Sequence, residues 1–306
     1  MKHYHNISVQ HISWVKSNKS LLEPIKGIKN LYYPENLSEL EQLITSFIKE
    51  SRPFLIIGFS SNTLFLPTFS IENVVCTKYL NHWEEKDGFI ICDCGVSVSS
   101  LAKKMVEKGY IGFEGLTDLP GTIGAGIYGN CGCRGCSVNS IVEYFTLLCP
   151  SGDIVSLTPK ELALQYRSTK LKRKEMKGVI LRAYIRIKKG DKKELIEIAE
   201  KNHQIRKKNQ PSPANNLGTT FLCKKPTIKG LLYKVVERGL RLFTHNDVVS
   251  YSLFLQFIGK NTFVPYTHRL NRYMFLDAKA HVIFPLYVEF VKNLYKETQL
   301  EIEIRD

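Results

Sequence analysis

Residues 119–135 read Leu-Pro-Gly-Thr-Ile-Gly-Ala-Gly-Ile-Tyr-Gly-Asn-Cys-Gly-Cys-Arg-Gly. Six of these seventeen residues are glycine, and they alternate with side chains that pack or form hydrogen bonds, such as Ile123, Ile127 and Tyr128. Glycine is used where the backbone takes a positive φ or where another group must approach the main chain closely. The stretch therefore predicts a loop whose N–H groups hold an anion, with a tight turn between two strands as the alternative.

Length and composition indicate an ordinary globular protein. A chain of 306 residues, 43% hydrophobic and 24% charged, is long enough for two or three domains. It contains no apolar run of the roughly 18 residues that a membrane span needs, and the first residues do not form the apolar segment of a secretory signal. The eight cysteines fall into short local groups and not into a disulfide framework. These features favour a cytoplasmic location.

Positive charge is concentrated in one part of the chain. The net charge is +14, and residues 151–210 contain 17 Lys and Arg against 7 Asp and Glu. A basic field of this kind attracts nucleic acid or phosphorylated small molecules. No zinc finger, RNP-like motif or basic helix with interleaved aromatic residues accompanies it, so nucleic acid is not favoured. A phosphate-rich ligand and a merely lysine-rich surface both remain open.

The apolar periodicity predicts a mixture of helices and strands. Apolar positions at helical spacing predict a helix within 36–49, capped by Asn36 or Ser38. A short strand at 53–57 leads into the small polar loop 58–64, a geometry that offers backbone donors to a phosphate. Further elements are predicted as strand 89–95, helix 97–109, hairpin 141–149 with 154–155, a short helical turn at 161–164, strand 178–187 and helix 190–208. Gln-Pro-Ser-Pro at 210–213 indicates a hinge.

Five short motifs along the chain share an order and a spacing. They are Gly58-Phe-Ser-Ser-Asn-Thr-Leu64, the run from Pro120 to Gly132, Tyr166-Arg-Ser-Thr169, Gln210-Pro211 followed by Gly218-Thr219, and Leu300-Glu-Ile-Glu-Ile-Arg305. Together they resemble the motifs of the UDP-N-acetylenolpyruvoylglucosamine reductase (MurB) family, flavoproteins of bacterial cell-wall synthesis. The resemblance extends from about residue 30 to residue 222, with the last motif near the C-terminus.

The resemblance implies an α+β protein: a two-subdomain FAD-binding fold of the MurB or vanillyl-alcohol-oxidase type with a smaller α+β substrate domain. The FAD-binding subdomains would span 1–84 and 85–192, and the substrate-binding domain would span 193–306. The implied cofactor-binding residues are Gly58, Phe59, Ser60, Ser61, Asn62, Thr63, Leu64, Pro120, Gly121, Thr122, Gly124, Ala125, Gly126, Tyr128, Asn130 and Gly132.

The resemblance also implies the reaction. NADPH would reduce FAD, and the enolpyruvyl group of a UDP-N-acetylglucosamine derivative would then be reduced. By position, the catalytic residues would be Arg167, Thr219 and Glu303. A bound cation and a positioned proton donor are what such an addition requires. An exposed surface arginine and an exposed strand glutamate are the simpler interpretations of Arg167 and Glu303, and Glu301 lies only two residues from Glu303.

Several positions depart from the family pattern. Phe59 and Ser60 stand where the family has glycines. Thr219 replaces a serine and is stiff about χ1. The substrate-side motifs expected between 230 and 290 are missing, and an aromatic-rich stretch with His245 and His268 takes their place. The alternatives are therefore a related flavoenzyme with another nucleotide-linked or small substrate, and a non-catalytic binding protein of the same fold.

Three cysteines, Cys131, Cys133 and Cys136, lie in the glycine-rich stretch itself. They could bind a metal, form a redox pair or attach flavin covalently, or they could simply replace small residues such as alanine. Zinc prefers two well-spaced pairs of ligands, and these spacings crowd a single loop, so no metal site is predicted.

Overall fold

A computed structural model describes residues 1–7, 28–66, 68–209 and 216–305. The chain divides into two compact units. Of the described residues, the first unit holds 1–7, 28–59 and 71–208, and the second holds 60–66, 68–70, 209 and 216–305. Both units mix helices and strands, so the expectation of an α+β architecture is confirmed. The division of the chain at 84 and 192 remains a prediction, and the hinge expected at 210–213 lies outside the described residues.

The first unit begins with a four-stranded sheet and one helix. Its elements are β1 (Lys2–Ile7), β2 (Ile28–Tyr33), α1 (Leu37–Lys49), β3 (Phe54–Ile57) and β5 (Ile71–Cys76). The strand order is β1-β2-β5-β3, with β2, β5 and β3 parallel and β1 antiparallel. Asn36 caps α1 by accepting a hydrogen bond from the backbone N–H of Glu39 at 3.0 Å, which selects Asn36 over Ser38 as the cap.

A five-stranded antiparallel sheet forms the rest of the first unit's framework. Its strands are β6 (Trp83–Lys86), β7 (Phe89–Asp93), β10 (Val142–Leu148), β11 (Ile154–Leu157) and β12 (Val179–Arg186), in the order β11-β10-β12-β7-β6. The helices of this part are α2 (Val98–Glu107), α3 (Ile123–Gly129), α4 (Val138–Ile141) and α5 (Lys192–Asn209), and a 3₁₀ turn covers Pro159–Leu162. The predicted strands, hairpin and helices of 89–208 are confirmed within a few residues.

The prediction of a loop over 119–135 is wrong for its central part, because residues 123–129 form helix α3. Three of the seven residues of α3 are glycine, and each mid-helix glycine costs up to about 1 kcal/mol relative to alanine. Close packing explains why they are there. A Cβ on Gly124 would lie 2.9 Å from the Cβ of Cys94, and one on Gly126 would lie 2.6 Å from a methyl group of Val138. The glycines let the helix approach its neighbours closely.

The described part of the second unit contains short sheets and three long helices. Its strands are β4 (Thr63–Phe65), β13 (Phe221–Pro226), β14 (Thr267–Arg269), β15 (Arg272–Tyr273), β16 (Tyr295–Leu300) and β17 (Glu303–Arg305), and its helices are α6 (Ile228–Thr244), α7 (Asp247–Phe257) and α8 (Ala278–Leu294). Strand β13 pairs with β16, β14 with β15, and β17 runs parallel to β4.

The aromatic-rich stretch of the sequence builds the core of the second unit. Tyr251, Tyr273 and Tyr287 are fully buried. The Tyr287 hydroxyl donates to the carbonyl of Leu270 at 2.7 Å, so it accepts from the Tyr251 hydroxyl, which lies 2.7 Å away. Burying a tyrosine is unfavourable unless its hydroxyl finds a partner, and this chain of hydrogen bonds provides one.

Helix α6 presents an apolar face to solvent. Its exposed large apolar side chains are those of Ile228, Leu231, Leu232, Val235, Leu242 and Phe243. At 100° per residue these positions fall on one side of the helix, while Gly230, which is buried, lies on the opposite side. A sequence pattern identifies the apolar face of a helix, and here that face points outward. Within the described residues, every helix is too short or too polar to span a lipid bilayer.

The outward face of α6 leads to a prediction about stability. Leu232 is 61% exposed, whereas Leu255 on α7 is 0% exposed. Leu255→Ala should lower the free energy of unfolding by about 2–5 kcal/mol because it opens a cavity. Leu232→Ala should change it by less than about 0.5 kcal/mol, as is usual for surface positions. Urea unfolding of the two variants measures both values, and equal losses would show that the Leu232 side chain is buried in solution.

Candidate functional site

Two of the predicted cofactor loops meet in the first unit, at Gly58 and Thr122. A Cβ on Gly58 would lie 2.4 Å from the Oγ1 of Thr122 and 3.0 Å from its Cγ2. The Thr122 hydroxyl oxygen also accepts from the backbone N–H of Ala125 at 3.4 Å, which caps α3. The end of β3 therefore lies directly against the start of α3, and this close approach leaves space for glycine alone at position 58.

Residues behind these loops fix their backbone positions. Thr77 donates its hydroxyl to the carbonyl of Ile57 at 3.2 Å, and the Cys76 thiol lies 3.5 Å from the carbonyl of Gly58. Gly95 approaches so closely that a Cβ there would lie 1.8 Å from the carbonyl oxygen of Thr77. The sequence did not assign Cys76 or Thr77 to the site. Gly95, which follows β7, is the sequence feature that indicates such close packing.

Ser60, which stands where the resembled family has a glycine, takes a backbone conformation that favours glycine. Its φ is +52°, in the left-handed region where glycine is favoured. The side chain is buried, and its hydroxyl oxygen has no hydrogen-bond partner among the described residues. A buried hydroxyl without a partner is unfavourable by about 1–3 kcal/mol, so a bound group with acceptor oxygens would complete this position.

The Tyr166-Arg-Ser-Thr169 motif grips the carboxyl end of α3. Thr169 is fully buried and donates its hydroxyl to the carbonyl of Tyr128 at 2.6 Å. Arg167 donates to the carbonyls of Gly132 at 2.6 Å and Asn130 at 3.3 Å. These carbonyls lie at or just beyond the helix end, where backbone acceptors have no partner within the helix. The motif therefore satisfies them and fixes the course of the chain after α3.

Asn130 and Asn139 complete this arrangement. Asn130 takes φ +47° and ends α3 in the left-handed conformation, and its amide donates to the carbonyl of Gln165 at 2.8 Å. Asn139 donates to the carbonyl of Ile127 at 3.1 Å and to the Oδ1 of Asn130 at 3.2 Å. Sequence reasoning missed Asn139, since it lies outside the motifs and has no distinctive neighbours.

A shallow cavity of about 320 Å³ opens beside Arg167. Its lining residues are Asn130, Gly132, Cys133, Arg134, Gly135, Cys136, Ser137, Tyr166 and Arg167. Arg167 itself has φ +53°, an unusual conformation for a residue with a side chain, and its guanidinium lies 5.1 Å from the ring centre of Tyr166. An arginine held in a strained conformation at the edge of a cavity is typical of a functional position. Of the predicted catalytic residues, this one belongs to the first unit.

Thr219 and Glu303 belong to the second unit, where Asn62 holds their neighbourhoods in place. The Asn62 amide donates to the carbonyl of Leu217 at 2.6 Å, and the Asn62 carbonyl accepts from the backbone N–H of Glu303 at 2.9 Å. Gly218 turns the chain with φ +92° immediately before Thr219. Asn62, predicted to bind FAD, thus braces the segments that carry both predicted catalytic residues.

Glu303 lies on β17 beside Thr63 and pairs with Arg305, whose Nη2 is 3.0 Å from the Glu303 carboxylate. The Glu303 side chain is 22% exposed, so it is not the fully exposed strand glutamate of the simpler interpretation. No three His, Cys, Asp or Glu side chains in the described part of the chain are grouped so that they could hold a metal ion.

Comparisons with known proteins agree with this geometry. Residues 28–158 match the family model of the FAD binding domain. The chain is 31% identical over 196 residues to the UDP-N-acetylenolpyruvoylglucosamine reductase of Caldanaerobacter subterraneus subsp. tengcongensis, over 64% of each chain. It is 28% identical over 241 residues to that of Anoxybacillus flavithermus, over 76% of this chain and 78% of the relative.

Over part of its length the chain is thus similar to UDP-N-acetylenolpyruvoylglucosamine reductases, and it contains a match to the FAD binding domain. The crystal structure of the MurB protein from Thermus caldophilus shares its fold, with a TM-score of 0.68 and 18% sequence identity over 100% of this chain and 98% of the other. The sequence match to the Caldanaerobacter reductase spans a little under two thirds of that relative, at 64%.

The residues present fit FAD. Gly58 brings the backbone after β3 against Thr122, and the buried hydroxyl of Ser60, which has no partner among the described residues, can donate to an oxygen of the cofactor. Ser60 has the left-handed backbone conformation that glycine favours, so this path of the loop is compatible with a side chain at position 60.

The contact between Gly58 and Thr122 can be tested by adding one methyl group. Gly58→Ala forces a Cβ to within 2.4 Å of the Thr122 hydroxyl, so it should lower the free energy of unfolding by about 1–3 kcal/mol and reduce the flavin content. Gly239→Ala on α6 is the matched control, because no atom lies within 4 Å of its Cβ, and it should be neutral or stabilising. Urea unfolding and the flavin absorbance of purified protein give both values. Unchanged stability and flavin content in Gly58→Ala would show that the two loops do not meet as described.

Proposed function

We propose that this protein is an FAD-dependent oxidoreductase that uses NADPH to reduce the enolpyruvyl group of a UDP-N-acetylglucosamine derivative. The observation that carries the proposal is the close approach of Gly58 to Thr122, which brings two of the predicted FAD loops together in the first unit. The similarity to two UDP-N-acetylenolpyruvoylglucosamine reductases supports this activity. A cytoplasmic location and a role in peptidoglycan synthesis are part of the same proposal.

FAD would be held by the segments 58–64 and 120–132. When bound, the flavin supplies the hydride-carrying chemistry that no amino-acid side chain provides. The main chain of Gly58 and Thr122 would lie along the cofactor, and the Ser60 hydroxyl would donate to one of its oxygens. Gly124 and Gly126 act indirectly by seating α3 against Cys94 and Val138.

Arg167 would bind the carboxylate of the substrate. Its guanidinium carries five N–H donors and a permanent positive charge, and the hydrogen bonds to Asn130 and Gly132 fix its direction. A cation held in a fixed place stabilises negative charge that builds up during a reaction without reorganising. Arg167, whose guanidinium is held by these two hydrogen bonds, therefore suits the role of stabilising negative charge on the substrate.

Thr219 would donate a proton to the substrate carbon from its Oγ1, and Glu303 would position or replenish that proton. The threonine sits in a restrained segment, because the N–H of Gly218 donates to Asn216 at 2.9 Å and the N–H of Thr220 donates to the carbonyl of Asn271 at 3.0 Å. A restrained backbone compensates for the limited χ1 freedom of a β-branched residue. General acids of this kind contribute about 10²–10⁴-fold to a rate.

The basic character of the first unit supports an anionic substrate. Residues 151–210 carry a net charge of +10, from 17 Lys and Arg against 7 Asp and Glu. A field of this sign raises the local concentration of phosphorylated ligands. The motifs of the family's substrate side are absent from 230–290, where helices and an aromatic core stand instead. This difference favours, as a second candidate, the same chemistry on another nucleotide-linked substrate.

The proposal is tested by the spectrum and the half-reactions of purified protein. We expect yellow protein whose flavin absorbance is bleached by NADPH without oxygen and restored by UDP-N-acetylglucosamine enolpyruvate. Bleaching by NADPH without restoration by this substrate would favour the second candidate, the same chemistry on another nucleotide-linked substrate. A colourless protein that does not bind added FAD would contradict it altogether.

A matched pair of variants distinguishes the specific role of Arg167 from its contribution to the net charge of the first unit. Arg167→Ala should slow restoration by enolpyruvyl substrate by about 10²–10³-fold, because a charge-stabilising donor is lost, while bleaching by NADPH continues. Arg186→Ala removes the same charge from an exposed position on β12, where the arginine pairs with Glu143 at 3.2 Å, and should leave both half-reactions unchanged. Stopped-flow absorbance measures each step. Equal effects of the two variants would show that Arg167 contributes only through net charge.

A further inference from the structure

The chain beyond α3 forms a miniature hairpin that sets two cysteines opposite each other. Strands β8 (Gly132–Cys133) and β9 (Cys136–Ser137) pair antiparallel, with Cys133 directly facing Cys136. The two residues between them, Arg134 and Gly135, have φ of +53° and +79°. This is the pattern of a two-residue turn of the I′ type, the turn best matched to strand twist. The hairpin thus presents a Cys-x-x-Cys pair in a defined register.

The register places the two cysteines at a backbone separation that a disulfide can span. Directly opposed residues of an antiparallel pair lie about 4.5–5.5 Å apart between Cα atoms and point to the same side. Disulfides form at Cα separations of about 4.4–6.8 Å. Both thiols are free, both side chains are partly exposed, and both line the cavity beside Arg167.

Each thiol has a different environment. Burial lowers the pKa of Arg206. The negative charges of Asp118 and of an ionised Cys133 act in the opposite direction and raise it. Burial raises the pKa of Cys136, with a further contribution from the Glu114 carboxylate, while a hydrogen bond from the N–H of Gly115 works in the opposite direction.

The neighbouring backbone also fits this pair closely. A Cβ on Gly115 would lie 2.8 Å from the sulfur of Cys136 and 2.6 Å from the carbonyl oxygen of Cys133. Cys131 is directed elsewhere, since its sulfur lies 3.9 Å from the carbonyl oxygen of Ala125 in α3.

We infer that Cys133 and Cys136 form a reversible redox site, oxidised to an intramolecular disulfide by a low-molecular-weight disulfide. The inference does not depend on the proposed reductase activity. Because the sulfur of Cys136 packs against Gly115 and lies 4.0 Å from the Glu114 carboxylate, Cys133 supplies the attacking sulfur, and Cys136 resolves the intermediate. The cavity gives a small reagent access to the pair.

The reaction balances as two thiol–disulfide exchanges. The Cys133 thiolate attacks one sulfur of the external disulfide, the external S–S bond breaks, and the leaving thiolate takes up a proton from solvent. Cys136 then gives its proton to solvent and attacks the Cys133 sulfur, which breaks the mixed disulfide and releases a second thiol. The protein loses two hydrogen atoms, and the external disulfide is reduced to two thiols.

The site is joined to Arg167 through one carbonyl group. Gly132, which precedes Cys133 on β8, accepts the 2.6 Å hydrogen bond from Arg167. Closing a disulfide across β8 and β9 restrains the same carbonyl. The oxidation state of the pair thus sets how firmly the Arg167 guanidinium is anchored.

The test counts thiols in full-length protein. After treatment with oxidised glutathione, acid quenching and alkylation in denaturant, the wild-type protein should carry six alkyl groups, against eight after dithiothreitol. Its intact mass before alkylation should fall by two hydrogen atoms, and proteolysis should yield a peptide linked between Cys133 and Cys136. Dithiothreitol should restore all eight thiols.

Three single variants make the assignment specific. Cys133→Ser should take up no glutathione and lose no thiol, whereas Cys136→Ser should stop at a glutathione adduct on Cys133. Cys149→Ser, at a partly exposed cysteine beyond β10, should still form the disulfide. Eight reactive thiols in oxidised wild-type protein, a link through Cys131, or a flavin bound covalently to Cys133 would each overturn the inference.

Discussion

The close seating of α3 is the constraint on which the first unit depends. Its glycines let the helix backbone come within contact distance of Cys94 and Val138, and any Cβ at Gly124 or Gly126 would collide with them. Three glycines in seven residues weaken the helix as an isolated segment. Tertiary packing must therefore hold it. Its amino end is capped by the adjacent Thr122, and its carboxyl end is fixed by side chains from elsewhere in the chain.

The two ends of α3 explain why distant motifs occur together in this sequence. At the amino end, Thr122 caps the helix and lies against Gly58, so the loop after β3 has to follow the helix. At the carboxyl end, Thr169 and Arg167 satisfy carbonyls that the helix cannot pair. A change at any of these positions therefore affects how α3 is held. The motifs are thus coupled through their contacts with α3, although they are far apart along the chain.

The sequence was informative where a local pattern has a local cause. The sequence predicts the amphipathic stripes of α1 and α2 and offers Asn36 as one of two caps for α1, because periodicity and capping act within a few residues. It did not assign Ser97, which caps α2. The helix at 123–129 was missed, because its stability comes from contacts with Cys94 and Val138 that no local propensity encodes.

The second unit was less predictable for a different reason. Its aromatic stretch indicated burial, yet the hydrogen-bonded order of Tyr251, Tyr287 and Leu270 depends on tertiary contacts alone. Helix α6 shows the limit of patterning more directly. No helix is predicted there from the sequence, and an amphipathic pattern does not by itself state which face of a helix meets solvent.

Ser60 occupies a strained position in the loop after β3. A serine with a left-handed backbone carries a strain of about 1–3 kcal/mol. The structure keeps that φ at +52° and buries a hydroxyl oxygen that lacks a partner. Both costs are reduced if a ligand oxygen accepts from this hydroxyl and its binding energy stabilises the loop. A position that combines backbone strain with a buried, unpaired hydroxyl is better explained by a bound anionic cofactor than by packing alone.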